Sequence, residues 1–214
     1  VNYILRNGSE FKKKVEFESQ QTIGSNALFN SYNAIGGKTN KLHYYAFFDH
    51  RNGDGYRENS KYFTNSGYAT TTYFISPKLS LTAEVMHSHI RSQQPGGLTD
   101  DQLKENSKQS FRSRNWFDIK WTTPAFILNY SINETTRWNT KLFATVGDRN
   151  SVGFLQSITT KDSVNALTGQ FNNRALQINN YRNYGFESRV ITDYDLGNLK
   201  NTLSLGIRLY KGST

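Results

Sequence analysis

The stretch PAFILNYSINETTRWNTKLFATVGDRNSVGF, residues 124–154, decides the fold of this chain. In its first part, apolar residues alternate with small or polar ones. The apolar positions are Phe126, Leu128, Tyr130 and Ile132, and the positions between them include Ala125, Asn129, Ser131 and Asn133. The pattern resumes after residues 133–136, with Trp138, Leu142, Ala144 and Val146 on one face and Arg137, Asn139, Lys141 and Thr145 on the other. This alternation predicts two β-strands joined by a tight turn.

Each arm of the hairpin is long enough to cross a membrane as a tilted strand, which takes roughly 9–11 residues. The turn is short, whereas the second arm leads into a polar segment over residues 148–182. Outer-membrane barrels have short turns at one end and long loops at the other. The hairpin therefore predicts a transmembrane β-barrel.

Further strands are predicted at residues 15–23, 27–35, 42–48, 67–75, 79–86, 183–194 and 199–210. The connections after strands two, four, six and eight are short and lie near residues 37, 77, 134 and 197. Those after strands three, five and seven are long and cover residues 49–66, 91–123 and 148–182. This sorting predicts an all-β fold, an antiparallel up-and-down transmembrane β-barrel. Because bacterial barrels have an even number of strands and this pattern has nine, we expect a fragment of a larger barrel.

The composition of the 214 residues excludes several classes of protein. The formal net charge is +9, cysteine is absent, and no apolar run approaches the roughly 20 residues that a membrane helix requires. The sequence contains neither G-x-S-x-G nor H-E-x-x-H, and its basic residues are scattered along the loops. It therefore predicts no enzyme, no catalytic residues, no metal site, no cofactor and no nucleic-acid partner. Both ends look cut, so we expect an internal piece of a longer protein.

Two short motifs resemble a known family. VNYIL at residues 1–5 looks like the last strand of a plug domain, and PGGLTDDQ at residues 95–102 is similar to a P-G-G-[LM]-[ST] loop segment. Both belong to TonB-dependent outer-membrane receptors, most closely those of the ferric dicitrate transporter type. The resemblance extends over nearly the whole chain. It is strongest at PGGLT and from RNWF (residues 114–117) to DRNSVGF (residues 148–154).

The resemblance implies a barrel of about 22 strands closed around a plug. Residues 1–10 would then be the end of the plug domain, and residues 11–214 the N-terminal part of the barrel domain. The implied function is import of a ferric chelate, ferric citrate or another siderophore, across the bacterial outer membrane. The implied partners are the TonB complex, through an N-terminal part outside this chain, and outer-membrane lipid and lipopolysaccharide.

Six arginines fall in or beside the long loops, which should cluster at one rim: Arg91, Arg112, Arg114, Arg149, Arg174 and Arg182. Converging guanidinium groups can hold carboxylates in bidentate pairs, which suits a ferric citrate complex. Solvated loop charge and contact with lipopolysaccharide are the alternatives for each arginine. The resemblance favours Arg114, Arg149 and Arg182 as ligand-binding residues, and we expect these three to approach one another.

The residues leave other functions open: a receptor for another nutrient, a passive porin-like channel, or an outer-membrane enzyme barrel. For the enzyme, His87 and His89 are the candidate catalytic residues. Their spacing would also let them chelate a metal, but no third ligand is predicted nearby. Asp49–Glu58 misses the EF-hand spacing and is predicted to be a turn-rich loop. Tyr44, Tyr130 and Trp138 are predicted to lie in an interfacial aromatic girdle.

Overall fold

The computed structural model describes residues 5–213, which form nine strands and one short helix. The strands are β1 Glu16–Gly24, β2 Leu28–Lys38, β3 Leu42–Gly53, β4 Tyr62–Ser76, β5 Leu79–Gln93, β6 Trp116–Ser131, β7 Thr136–Gly153, β8 Ala175–Leu196 and β9 Leu199–Ser213, and the helix is α1 Asp100–Glu105. All nine strands pair in chain order in one antiparallel sheet. The predicted all-β up-and-down architecture is confirmed.

From β2 onward, the connections sort by length as predicted. Residues 39–41, 77–78, 132–135 and 197–198 make short turns at one end of the sheet, which we call the turn end. Residues 25–27, 54–61, 94–115 and 154–174 connect strands at the opposite end, which we call the loop end. The predicted loop boundaries are wrong, because the strands next to every long loop are longer than the hydrophobic pattern indicates.

Polar cross-strand pairs explain the longer strands. Residues 49–53 of the predicted loop 49–66 belong to β3, where Asn30 Nδ2 donates to Asp49 Oδ1 at 2.6 Å and His50 Nδ1 lies 2.6 Å from Asn65 Oδ1. In β5 and β6, His89 Nε2 lies 3.1 Å from Asp118 Oδ1. These segments are held by ladder and side-chain hydrogen bonds, so hydrophobic alternation ends before the strands do.

The register confirms the predicted division of side chains between two faces. Phe126 pairs with Leu142 and Tyr130 with Trp138, whereas Asn129 pairs with Asn139 and Ser131 with Arg137. Directly paired residues of antiparallel strands share a face. The pairings of β7 with β8 and of β8 with β9 extend this division across the sheet. One face carries Phe126, Leu128, Tyr130, Leu142, Ala144, Val146, Leu203, Leu205 and Ile207, and the other carries Asn129, Ser131, Arg137, Asn139, Lys141 and Ser204.

The buried core lies on the second of these faces, which we call the inner face. Phe11, Ala34, Tyr45 and Tyr68 form a buried cluster there. Phe11 packs over Gly36, where an added Cβ would lie 2.3 Å from the Phe11 ring. The opposite, outer face stays open: Phe126 is 63% exposed and Leu205 is 64% exposed. An apolar face of this extent is unusual for a protein in water.

The segment before β1 lies against the inner face. Gly8 has φ of +90°, and a Cβ there would lie 2.4 Å from the carbonyl oxygen of Tyr44. Arg6 binds Glu18 at 2.7 Å and Glu10 at 3.0 Å, and these hydrogen bonds raise the pKa of the Arg6 guanidinium above its usual value. The predicted strand VNYIL falls mostly on residues 1–4, outside the described residues. Over residues 5–213, no helix has the length and apolar character needed to cross a membrane.

Candidate functional site

The three longer connections at the loop end are joined into one unit, which we call the loop cluster (residues 54–61, 94–115 and 154–174). Arg57 joins the first two: its Nη1 donates to Gly96 O at 2.6 Å, and its Nη2 donates to Gln109 O at 2.8 Å. Helix α1 in the second connection begins with a capping box formed by Thr99 and Gln102. These contacts order loops whose composition alone indicates only turns.

Arg112 joins the second and third connections from a buried position. The residue is only 5% exposed, and its guanidinium donates to the carbonyl oxygens of Thr160 at 2.7 Å, Gln156 at 2.6 Å and Ser157 at 2.9 Å. The carbon of the same guanidinium lies 5.1 Å from the centre of the Phe154 ring. Each of these contacts joins Arg112 to another part of the protein. Arg112 therefore holds the loops together instead of facing the rim as predicted.

Asp162 is the centre of a second contact between the same two loops. Its side chain is fully buried and pairs with Arg174, while Arg114 Nη2 lies 3.6 Å from its other oxygen. Ser113 Oγ donates to Asp162 Oδ2 at 3.2 Å. Arg114 and Arg174 bring two positive charges to one carboxylate. A surplus of one positive charge therefore remains beside Asp162.

Arg114 has spare hydrogen-bonding capacity. Its Nε and Nη2 atoms are buried and have no acceptor within hydrogen-bond distance in the described chain. The guanidinium carbon lies 3.5 Å from the centre of the Phe171 ring, and 38% of the side chain is exposed. Buried donors without acceptors are uncommon in folded proteins and call for an explanation such as a bound ion. A carboxylate or phenolate oxygen would satisfy them.

Arg149 lies on the inner face near the loop end of β7. It pairs in register with Ile119 and Asn179, and its guanidinium carbon lies 5.0 Å from the Phe117 ring. No carboxylate of residues 5–213 is within 4.0 Å of it. The position suits a residue that contacts a solute inside the barrel.

Arg182 lies on the other face of the sheet. It pairs with Val146, which belongs to the outer face, and its Nη1 lies 3.5 Å from Asp148 and 3.1 Å from Gly147 O. The expectation that Arg114, Arg149 and Arg182 converge is therefore wrong for Arg182. Arg149 and Arg182 are three residues apart in register along β7, an odd number, which places them on opposite faces. Arg91 is also on the outer face, beside Trp116 and Asp118.

An aromatic wall lies beside Arg149 on the inner face and was missed by the sequence analysis. It consists of Phe117, Trp121 and Tyr181, and the Trp121 and Tyr181 rings have centroids 5.0 Å apart. Trp121 lies over Gly147, where an added Cβ would be 2.3 Å from its ring. The alternation in WFDIKW, residues 116–121, was the signal that could have revealed this wall.

The two histidines face outward. His87 Nδ1 lies 2.9 Å from Thr122 Oγ1, and His89 pairs with Asp118. Within residues 5–213, no group of three or more His, Cys, Asp or Glu side chains could hold a metal ion. Tyr44, Tyr130 and Trp138 lie on the outer face near the turn end, together with Tyr73. We call these four residues the aromatic row.

Comparison with solved structures identifies the fold. The chain matches the unliganded ferric citrate transporter FecA with a TM-score of 0.72 and 15% sequence identity, over 92% of this chain and 28% of that one. It matches the open form of the ferric-catecholate import receptor Fiu from E. coli K12 with a TM-score of 0.73 and 10% identity, over 97% of this chain and 35% of that one. This fold is the one found in both transport proteins.

The chain spans about a third of the length of these two structures or less. No family model matches its sequence, and no curated protein matches it significantly. The TM-scores of the two matches are nearly equal, and both sequence identities are too low to distinguish a ferric citrate transporter from a ferric-catecholate receptor. The predicted ferric dicitrate type therefore stays a prediction.

Proposed function

We propose that this chain is part of a plugged outer-membrane β-barrel, a TonB-dependent receptor that imports a ferric chelate. One observation carries the proposal: the nine strands form a single meander with the fold of FecA and Fiu, and the segment before β1 lies on its inner face. A plug inside a barrel requires the chain to lie on that face before the first strand begins. The proposed protein is a receptor, not an enzyme.

The proposed domain division follows from the same segment. Residues 1–10 form the end of the plug and residues 11–214 the first part of the barrel. The close contact of Gly8 with Tyr44 and the packing of Phe11 against Tyr45 support a junction here. The TonB complex would act through the plug side of this junction, in a part of the receptor outside this chain.

The outer face supports a membrane location. Its middle is apolar and exposed, the aromatic row lies at the turn end, and polar residues follow towards the loop end. Transmembrane barrels show this order of an apolar band, aromatic girdles and polar rims. Lipid would cover the apolar band, and lipopolysaccharide would contact the outward cations Lys120 and Arg182.

The positive charge at the loop end supports binding of an anionic ligand. The loop cluster carries a surplus of positive charge around Asp162, Arg114 has unpaired donors, and Arg149 faces inward next to an aromatic wall. Charge-assisted hydrogen bonds contribute about 1.5–3 kcal/mol each. An anionic ferric complex would gain them from Arg114 and Arg149. The aromatic wall would also accommodate a catecholate ring.

Equilibrium titration of the full-length receptor tests this proposal, with ferric dicitrate and a ferric tricatecholate as the two probes. We expect Arg114→Ala and Arg149→Ala each to weaken binding of the preferred chelate by about tenfold or more, since about 1.4 kcal/mol corresponds to a factor of ten. Arg182→Ala is the matched control. It removes the same charge from the outer face and should leave the dissociation constant within twofold.

Two results would contradict the model. Unchanged affinity for both chelates in Arg114→Ala and Arg149→Ala would mean that the two arginines take no part in capture. Absence of binding to either chelate in the wild-type receptor would favour a receptor for another nutrient or a porin-like channel.

A further inference from the structure

Four lysines surround a recess at the turn end that the function proposed above does not use. They are Lys12, Lys14, Lys38 and Lys41, which we call the lysine cluster, and together with His43 they line a volume of about 820 Å³. The lysines come from the segment before β1, from the last residue of β2 and from the turn that follows β2. Three of the four are exposed. Separate segments of the chain therefore present ammonium groups to one place.

The recess lies on the inner face of the sheet. Lys38 pairs with His43, and directly paired residues of antiparallel strands share a face. His43 lies two residues before Tyr45 of the buried cluster, so the shared face is the inner one. The ammonium group of Lys38 also donates to the carbonyl oxygen of Ser9 at 2.9 Å, in the segment that packs against this face. The lysine cluster is therefore on the face that carries Arg149, at the opposite end of the strands.

Backbone hydrogen bonds fix the segments that carry the lysines. Lys38 N donates to Lys13 O at 3.1 Å, which joins the segment before β1 to the end of β2. In the turn that follows, Thr39 Oγ1 accepts from Lys41 N at 3.3 Å, and Thr39 N donates to Leu42 O at 2.7 Å. Hydroxyl side chains order turns by such local bonds. The fold therefore sets where the cations stand around the recess.

The lysine cluster lacks counterions. In residues 5–213, the lysines that lie within 4.0 Å of a carboxylate are Lys61 and Lys104, both at the loop end. The acids closest to the cluster in sequence are engaged elsewhere. Glu10 binds Arg6 at 3.0 Å, and Glu16 Oε1 accepts from the backbone amides of residues 12 and 13, both at 2.9 Å. Because like charges repel, a multivalent anion in the recess would relieve this repulsion and gain ion pairs.

We propose that the lysine cluster is an exit site, where the anionic ferric chelate binds after it has passed the plug. This inference rests on the proposed function, because it takes the inner face as the wall of the lumen and the turn end as the periplasmic end. Ferric dicitrate and a ferric tricatecholate are both anions, so the same ammonium groups would bind either one. A lysine attracts an anion as a point charge and does not fix its orientation, which suits release. A concave recess also suits a small solute better than a protein surface.

Acetylation of lysines in the full-length receptor, purified in detergent and followed by mass spectrometry, tests the exit site. Without chelate, we expect rapid acetylation of Lys12, Lys14 and Lys41, since all three are exposed. Saturating ferric dicitrate or ferric tricatecholate, whichever the receptor prefers, should slow their acetylation at least fivefold. Lys78 and Lys200 are exposed at the same end but lie outside the recess, so their acetylation should change by less than twofold.

Two double variants with equal loss of charge separate the recess from net charge. The concentration of chelate that half-protects Lys14 should rise at least fivefold in Lys12→Gln/Lys41→Gln. It should stay within twofold in Lys78→Gln/Lys200→Gln, which removes the same charge from the same end of the barrel.

Lys38 is left unchanged in both variants, because its bond to Ser9 holds the segment before β1. Acetate at the same ionic strength is the control for weak, general anion binding. Its single carboxylate cannot bridge several ammonium groups, so it should slow the acetylation of Lys14 by less than twofold.

Three results would overturn the exit site. If Lys14 were unreactive without chelate, another part of the receptor would cover the recess. Equal shifts of the half-protecting concentration in the two double variants would mean that net charge explains the protection. Protection by polyglutamate and by neither chelate would indicate an acidic protein partner instead.

Variants at the loop end distinguish failure of the exit site from failure of chelate capture. Arg114→Ala/Arg149→Ala should leave the concentration that half-protects Lys14 within twofold, because the two sites lie at opposite ends of the strands. A receptor that binds chelate through the two arginines but leaves Lys14 unprotected would remove only the exit site. Protection of Lys14 in a receptor whose chelate affinity does not depend on the arginines would contradict capture at the loop end and leave the exit site standing.

Discussion

Replacing Asp162 by alanine is expected to destabilise the contact between the second and third connections by about 3–5 kcal/mol, the typical result of removing one partner of a buried ion pair. Asp162 is fully buried and Arg174 is 11% exposed, so Arg174 would lose its counterion in a place that water reaches poorly. Arg114, at 3.6 Å from the second oxygen, would lose its one nearby carboxylate among residues 5–213 as well. The loops should open locally while the sheet remains intact.

Amide hydrogen exchange in the full-length receptor measures this effect. The amides to follow are those of Phe154, which bonds Asn115 Oδ1, and residue 162, which bonds Phe111 O. A loss of 3 kcal/mol corresponds to at least about a hundredfold faster exchange, because 1.36 kcal/mol is a factor of ten. Asp101→Ala is the control. That side chain is 97% exposed and its ion pair is the exposed one with Lys104, so exchange should change by less than about threefold. Equal exchange in Asp162→Ala and wild type would show that the ion pairs do not hold the loops.

An arginine at Leu142 is expected to cost roughly 2–4 kcal/mol of folding free energy in a bilayer, whereas an arginine at Asn139 should cost much less. Leu142 is 53% exposed on the outer face, midway along β7 between Trp138 of the aromatic row and Val146. Asn139 lies on the inner face, where its amide donates to Asn129 Oδ1 at 2.7 Å. Lipid cannot solvate a guanidinium, but a polar lumen can.

The measurement is refolding of the full-length receptor from urea into phosphatidylcholine vesicles, followed by the heat-dependent shift in gel mobility that distinguishes folded from unfolded barrels. Leu142→Arg should move the urea midpoint to lower concentration by several times the shift of Asn139→Arg. Equal shifts for the two variants would mean that the outer face does not contact lipid.

The sequence by itself determined the strands and the division of their faces. Alternation at Phe126, Leu128 and Tyr130 fixed which side chains share a face, because the side-chain period of a strand is two and the tight turn at residues 132–135 sets the register of its partner. It also determined which connections are long. It did not determine where the long strands end, because polar cross-strand pairs such as His50 with Asn65 carry β3 and β4 beyond the apolar pattern.

The roles of the arginines were decided only by the tertiary structure. Arg112, Arg149 and Arg182 have the same chemistry and similar surroundings in the sequence, yet one holds the loops together, one faces inward and one faces outward. The 21-residue connection between β7 and β8 does not set the register of β8, because a long loop, unlike a tight turn, does not fix how the two strands that it joins align. Asp162 likewise acquires its partners Ser113 and Arg114 from a segment far away in the chain. Local patterns specify a strand and its faces, but a charge acquires its role from neighbours that only folding brings together.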